Sequence, residues 1–114
     1  MPDPADDPEA YKPLNDAERT NIPSGNQATF TFDPDGSGMW VDVVAASKFD
    51  GLTYEVRVDQ TRRFGPAGVP PTDIDDLNTT HKPPLEVNRQ LKIIVRNPSA
   101  TDRTVAAQVR GWET

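Results

Sequence analysis

Few residue types in this chain could do chemistry, and their spacing narrows the field further. His81 is the one histidine, in the polar setting Thr80-His81-Lys82-Pro83-Pro84. A two-histidine metal site is therefore impossible, and a Ser-His-Asp relay would have a single base to choose from. A lone histidine in such a loop reads as a solvated side chain. Ser24, Ser37, Ser47 and Ser99 all lack the strand-turn-helix setting of a nucleophile elbow. Acids number 18 in 114 residues, so carboxylate pairs arise freely and none stands apart as a raised-pKa acid for glycoside hydrolysis. There is no cysteine, which excludes disulfides, thiolate metal sites and a thiol nucleophile. The inventory predicts a protein that is not an enzyme.

Binding chemistry has more candidates. Asp33-Pro34-Asp35-Gly36-Ser37-Gly38 could offer oxygens from Asp33, Asp35 and Ser37 to a hard cation such as Ca²⁺. An EF-hand loop needs a glutamate at its twelfth position; counted from Asp33 that position is Val44, and the signature fails. The same residues suit a plain hairpin turn, and no other cofactor is expected. Gly36-Ser37-Gly38 lacks the third glycine and the following helix of a dinucleotide site. Asn78-Thr79-Thr80 is a glycosylation sequon in an apparent loop. Trp40 and Trp112 could line a sugar-stacking surface, although aromatics in strands more often serve as core or interface anchors. Arg62-Arg63 is too short a basic patch to hold nucleic acid and reads instead as an interface contact or a solvated turn.

The elements that must position these residues are strands. Ala28–Phe32 alternates apolar with polar, Met39–Ala46 places Met39, Val41, Val43 and Ala45 on one face, and Leu52, Tyr54, Val56 and Val58 make the cleanest alternation in the chain. Leu85–Val87, Leu91–Arg96 and a final run through Val105, Ala107 and Val109 complete six expected strands. Turn clusters separate them at Asp33–Gly38, Asp50-Gly51 and Asn97–Asp102. The fold predicted is all-β, an antiparallel β-sandwich or jelly roll over residues 25–114. Residues 1–24, punctuated by five prolines, read as an extended arm, with one helical turn at 16–20 behind the capping pattern Asn15-Asp16-Ala17-Glu18. Residues 65–84 read as one long irregular loop, with a single capped helical turn at Thr72-Asp73-Ile74-Asp75.

Charge and composition bound the partners. The net charge of −6 and a pI near 4.6 argue against nucleic acid and against anionic membranes. Asp supplies 13 of the 18 acids and Arg 8 of the 12 bases, a bias suited to a saturated-salt cytoplasm. The start, Met1-Pro2-Asp3-Pro4-Ala5-Asp6-Asp7-Pro8-Glu9, reverses the order of a signal peptide, so Sec export is not expected.

The stretch from Pro84 through Asn97-Pro98-Ser99 to Val109-Arg110-Gly111-Trp112 resembles the closing hairpin of small β-sandwich accessory proteins in tailed-virus particles. With the acidic composition, the chain looks most like such a protein from a virus infecting halophilic archaea. The resemblance implies capsid decoration, or a turret, connector or tail role, in a virion assembled in the host cytoplasm. The expected partners are other virion proteins and further copies of the chain. The expected contacts are Tyr11, Leu14 and Ile22 from the arm and Arg62, Arg63, Ile74 and Leu77 from the loop. The same hairpin pattern occurs in secreted adhesive and carbohydrate-binding modules, which is the alternative reading.

Overall fold

The computed structural model describes residues 12–34, 38–75 and 85–113. Among these, the strands are β1 (Lys12–Ile22), β2 (Gln27–Phe32), β3 (Met39–Ala46), β4 (Thr53–Val58), β5 (Thr61–Ala67), β6 (Thr72–Asp73), β7 (Leu85–Val87), β8 (Leu91–Arg96) and β9 (Arg103–Glu113), and there is no helix. One sheet runs β1-β9-β3, with β6 and β7 sharing the far side of β3; the other runs β2-β8-β4-β5. We call them the first and second sheet. All pairings are antiparallel except the short β3–β6 bridge. The chain changes sheet after every strand except within β4–β5 and β6–β7. The first strand lies beside the last, and the second beside the eighth. That is the winding of a jelly roll, the expected fold class.

Both inner faces are apolar because the strands alternate with period two. Phe30, Phe32, Tyr54, Val56, Val58, Leu91, Ile93 and Val95 of the second sheet meet Met39, Val41, Val44, Ala46, Val105, Ala107 and Val109 of the first. The alternation on β3 slips midway. Val41 pairs with Gly111 and Val43 with Arg110, leaving Asp42 as an unpaired bulge residue. After the bulge Val44 and Ala46 enter the cluster between the sheets, while Val43 and Ala45, expected on the same face as Met39 and Val41, are buried as well but lie outside that cluster. Gly111 is required at this crossing, since a Cβ there would sit 1.9 Å from the Trp40 carbonyl oxygen.

Three expectations about chain organisation are corrected. Residues 12–22 are not a free arm or a helical turn; they pair with β9 along all eleven residues, from Lys12↔Glu113 to Ile22↔Arg103. The ladder with β9 pairs one side of this edge strand along its whole length, where the capping pattern would have satisfied only a few backbone groups locally. Residues 65–84 are not one loop, because β5 extends through the Gly65-Pro66 pair, which is cis, to Ala67. Proline is tolerated there because β5 is an edge strand. Finally, Thr72-Asp73 forms the β6 bridge rather than starting a helix; Asp73 Oδ1 accepts from the Asp75 amide at 3.0 Å, and the Ile74 amide donates to Ala46 O at 3.1 Å.

The corner between β8 and β9 is locked by Asn97, which is fully buried. Its Nδ2 donates to Ile22 O at 2.9 Å and to Thr101 O at 2.8 Å, while its Oδ1 accepts from the Ser99 amide at 3.2 Å. Nearby, the Ser24 amide donates to Asp102 Oδ1 at 2.9 Å. A buried polar side chain with its hydrogen bonds filled costs little and fixes geometry.

Candidate functional site

Two outward faces carry what chemistry the fold displays. On β3, Met39 and Val41 point inward, so Trp40 between them points outward. On β9, Val109 points inward and Trp112 outward by the same alternation. Trp40 and Trp112 are direct cross-strand partners, flanked in register by Pro13 of β1 and Glu86 of β7. Both tryptophans are half-buried. Beside them is a groove of about 350 Å³ lined by Leu14, Asn15, Asp42, Arg110, Gly111 and Trp112. The β3 bulge places Asp42 in that groove, a common use of bulges beside binding sites.

The outer face of the second sheet is basic. The strands β2, β8, β4 and β5 carry five cations and one acid, in a chain whose net charge is −6. The acid, Glu55, is 2% exposed although it lies on the outer face. It pairs with the Arg57 Nε and, at 3.6 Å, with the Arg96 guanidinium. The hydrogen bond from Arg57 is the main reason its carboxyl titrates below the ordinary range, against the upward push of burial. Lys92, Arg57 and Arg62 stand in one row across β8, β4 and β5, each directly opposite the next. A groove of about 320 Å³ runs beside the row, lined by Thr29, Arg57, Gln60, Lys92 and Ile94.

The expected interface residues do not converge. Ile22 is 1% exposed and belongs to the core of its own subunit, so its assignment as a contact is corrected: the β1–β9 ladder turns its side chain inward. Leu14 is half-buried and packs against the same core. Arg62 and Arg63 are exposed on edge strand β5, whereas Ile74 follows β6 in the other sheet. Tyr11 and Leu77 lie outside the described residues, as do His81 and the sequon. Of the cation candidates, Asp33 is exposed after β2, and Asp35 and Ser37 lie outside the described residues. Among the described residues no group of three or more histidines, cysteines, aspartates or glutamates could hold a metal ion.

The sequence reading missed the cation row, because register across three strands is invisible in one dimension. It also missed Asp59, whose Oδ1 accepts from the amides of Arg89 (2.7 Å) and Gln90 (3.1 Å) and whose Oδ2 accepts from Asn88 (3.0 Å). Burial pushes this carboxyl up, but the three amides outweigh it and hold it below the ordinary range. No helix among the described residues is long and apolar enough to cross a membrane. No known protein family matches the chain, and neither a curated protein nor a solved structure is similar to it at a significant level.

Proposed function

We propose that the chain is a non-enzymatic structural protein of a virus particle, a jelly roll that decorates the shell and stabilises it by bridging neighbouring subunits. The observation that carries this reading is the Trp40–Trp112 pair, two large aromatics side by side on an outer sheet face. Paired tryptophans supply a rigid contact area of the kind that anchors protein interfaces. The jelly-roll winding recurs in shell proteins, and the β8–β9 hairpin with its Asn97-Pro98-Ser99 turn carries the resemblance to virion accessory proteins. The acidic composition suits a particle exposed to molar salt, hence a haloarchaeal host.

The contact surface in this reading is the tryptophan face together with the exposed edge at Arg62 and Arg63. Culture particles banded on a density gradient test it. The chain should co-band with the major shell protein at a fixed stoichiometry, in hundreds of copies for decoration. A five-, six- or twelvefold ring would instead assign it to a turret, connector or tail. A chain that stays wholly in the unbanded fraction overturns the reading.

The same tryptophans favour one second reading, a carbohydrate-binding module. Trp112 borders a groove whose Asn15, Asp42 and Arg110 could hydrogen-bond sugar hydroxyls. Tryptophan fluorescence titrated with neutral oligosaccharides separates the two. A saturable shift abolished by Trp112→Ala supports sugar binding and counts against the shell.

A further inference from the structure

The row Lys92–Arg57–Arg62 is an electrostatic anomaly. Like charges directly opposite on adjacent strands repel, and such pairs are ordinarily destabilising. Arg57 is compensated by Glu55. Lys92 and Arg62, on either side of it, have no carboxylate within ion-pair distance among the described residues. They stand two strand spacings apart, about 9.6 Å. A face holding these cations in a net acidic chain is complementary to an extended acidic segment.

The chain contains one. Residues 1–10 carry Asp3, Asp6, Asp7 and Glu9 with no base, and Pro2, Pro4 and Pro8 favour extended backbone. Asp3, Asp6 and Glu9 recur every third residue, which is the period of a polyproline II helix. In that geometry Asp6 and Glu9 fall on one side, about 9.3 Å apart at 3.1 Å per residue. That spacing matches the gap between Lys92 and Arg62. Proline also lowers the entropy lost when such a segment is ordered.

We infer that the outer face of the β2-β8-β4-β5 sheet receives the acidic segment Asp3–Glu9 of a second copy of this chain. The arrangement with Asp6 on Lys92 and Glu9 on Arg62 requires a second copy because of reach. Glu9 is three residues from Lys12, so it stays within about 11 Å of the start of β1. β1 is the edge of the first sheet and runs through a short turn into β2, the edge of the second. The outer face of the second sheet lies beyond a sheet-to-sheet spacing of about 10 Å, and Arg62 a further three strands across. A subunit's own Glu9 therefore cannot reach its Arg62, whereas a neighbour's carries no such tether. This inference does not depend on the shell reading: it concerns how copies join, and can fail or hold whatever they decorate.

Carbodiimide coupling tests it on the full chain. The reagent joins a carboxylate directly to a touching amine, forming an amide while itself taking up the water released. Unlabelled and ¹⁵N-labelled chains are mixed, equilibrated, and coupled at the lowest salt that keeps the circular dichroism native. After tryptic digestion the expected product joins the Met1–Arg19 peptide, through its Asp3–Glu9 segment, to the Gln90–Arg96 peptide through Lys92, in pairs of mixed isotope. Its yield should fall at least tenfold in the Asp6→Asn/Glu9→Gln variant, and exposed Lys48 should not be coupled to the segment. Three results overturn the inference: links only between like isotopes, which would mean a chain's own segment; links to Lys48 as frequent as those to Lys92; or no Lys92 link at all.

Discussion

The side-chain amide of Asn97 donates to the carbonyl of Ile22, 75 residues earlier in the chain, at 2.9 Å. One buried residue thus ties the end of β1 to the corner that turns β8 into β9, at the point where the two sheets exchange strands. Asn97→Ala would take the side-chain donor from the Ile22 carbonyl and the acceptor from the Ser99 amide, while Thr101 O keeps the Ser99 hydroxyl. Each unsatisfied buried group costs about 1–3 kcal/mol, so the variant should lose about 2–4 kcal/mol. Urea unfolding followed by tryptophan fluorescence checks this.

Truncation separates the acidic segment from the fold. Removing residues 1–11 should leave the melting curve nearly unchanged, because β1 begins at Lys12. Removing residues 1–22 should abolish cooperative melting, because it strips an eleven-residue strand and the core side chain of Ile22. Ile22→Ala alone should cost about 2–5 kcal/mol, as large-to-small core changes do. Thermal circular dichroism of the three proteins is sufficient.

Gly111→Ala should be among the most damaging single substitutions. The added methyl would collide with the Trp40 carbonyl carbon and oxygen and with Val41 Cα, all of them backbone. Relief requires the β3–β9 ladder to part beside the bulge. The expected outcome is loss of native near-ultraviolet circular dichroism from Trp40 and Trp112, the two tryptophans of the chain.

The β4–β5 hairpin turns through Asp59 and Gln60, both left-handed, with φ of 49° and 73°. Asp59 is held there by its three amide contacts. Gln60 has no such support in its backbone geometry, and the left-handed region costs a side-chain-bearing residue about 1–2 kcal/mol. Gln60→Gly should therefore stabilise the protein by up to about 1 kcal/mol after the entropy of glycine is charged against it. A higher urea midpoint at unchanged slope is the signature.

Acid should destabilise the fold through Glu55 and Asp59. Both carboxyls titrate lower in the folded chain than the ordinary range, so the unfolded chain binds these protons more tightly. Their stabilisation is present above the unfolded carboxylate range of about 3.9–4.3 and is lost as pH falls below it. Melting temperature should drop between pH 5 and pH 2. In Glu55→Gln that drop should be shallower, from a lower starting value at neutral pH.

Where period-two alternation was clean, as in Tyr54, Val56 and Val58 or Leu91, Ile93 and Val95, the sequence was enough to identify strands and their buried faces. It misread β1 because Lys12–Ile22 lies at an edge where residues 15–21 are exposed, so no apolar face had to be written into it. It misread β5 because proline and glycine are loop signals unless the strand is at an edge. On β3 it foresaw the burial of Val43 and Ala45 but not that Val44 and Ala46 join Met39 and Val41 between the sheets, since nothing in Met39–Ala46 announces a bulge at Asp42. The candidate site was half legible: Trp40 and Trp112 were named together and Arg62 beside Arg63, but not that the tryptophans are direct cross-strand partners or that Arg62 shares a row with Arg57 and Lys92.

Composition and local pattern by themselves determined an acidic, cysteine-free, all-β chain with alternating strands and marked turns. Those follow from interactions among residues a few positions apart. Only the tertiary structure decided which strands are neighbours and in what register. Pairing energy depends on residues brought together from distances such as the 75 positions between Ile22 and Asn97. Such partners fix which tryptophans stand side by side and which cations share a row, and so which faces are able to bind.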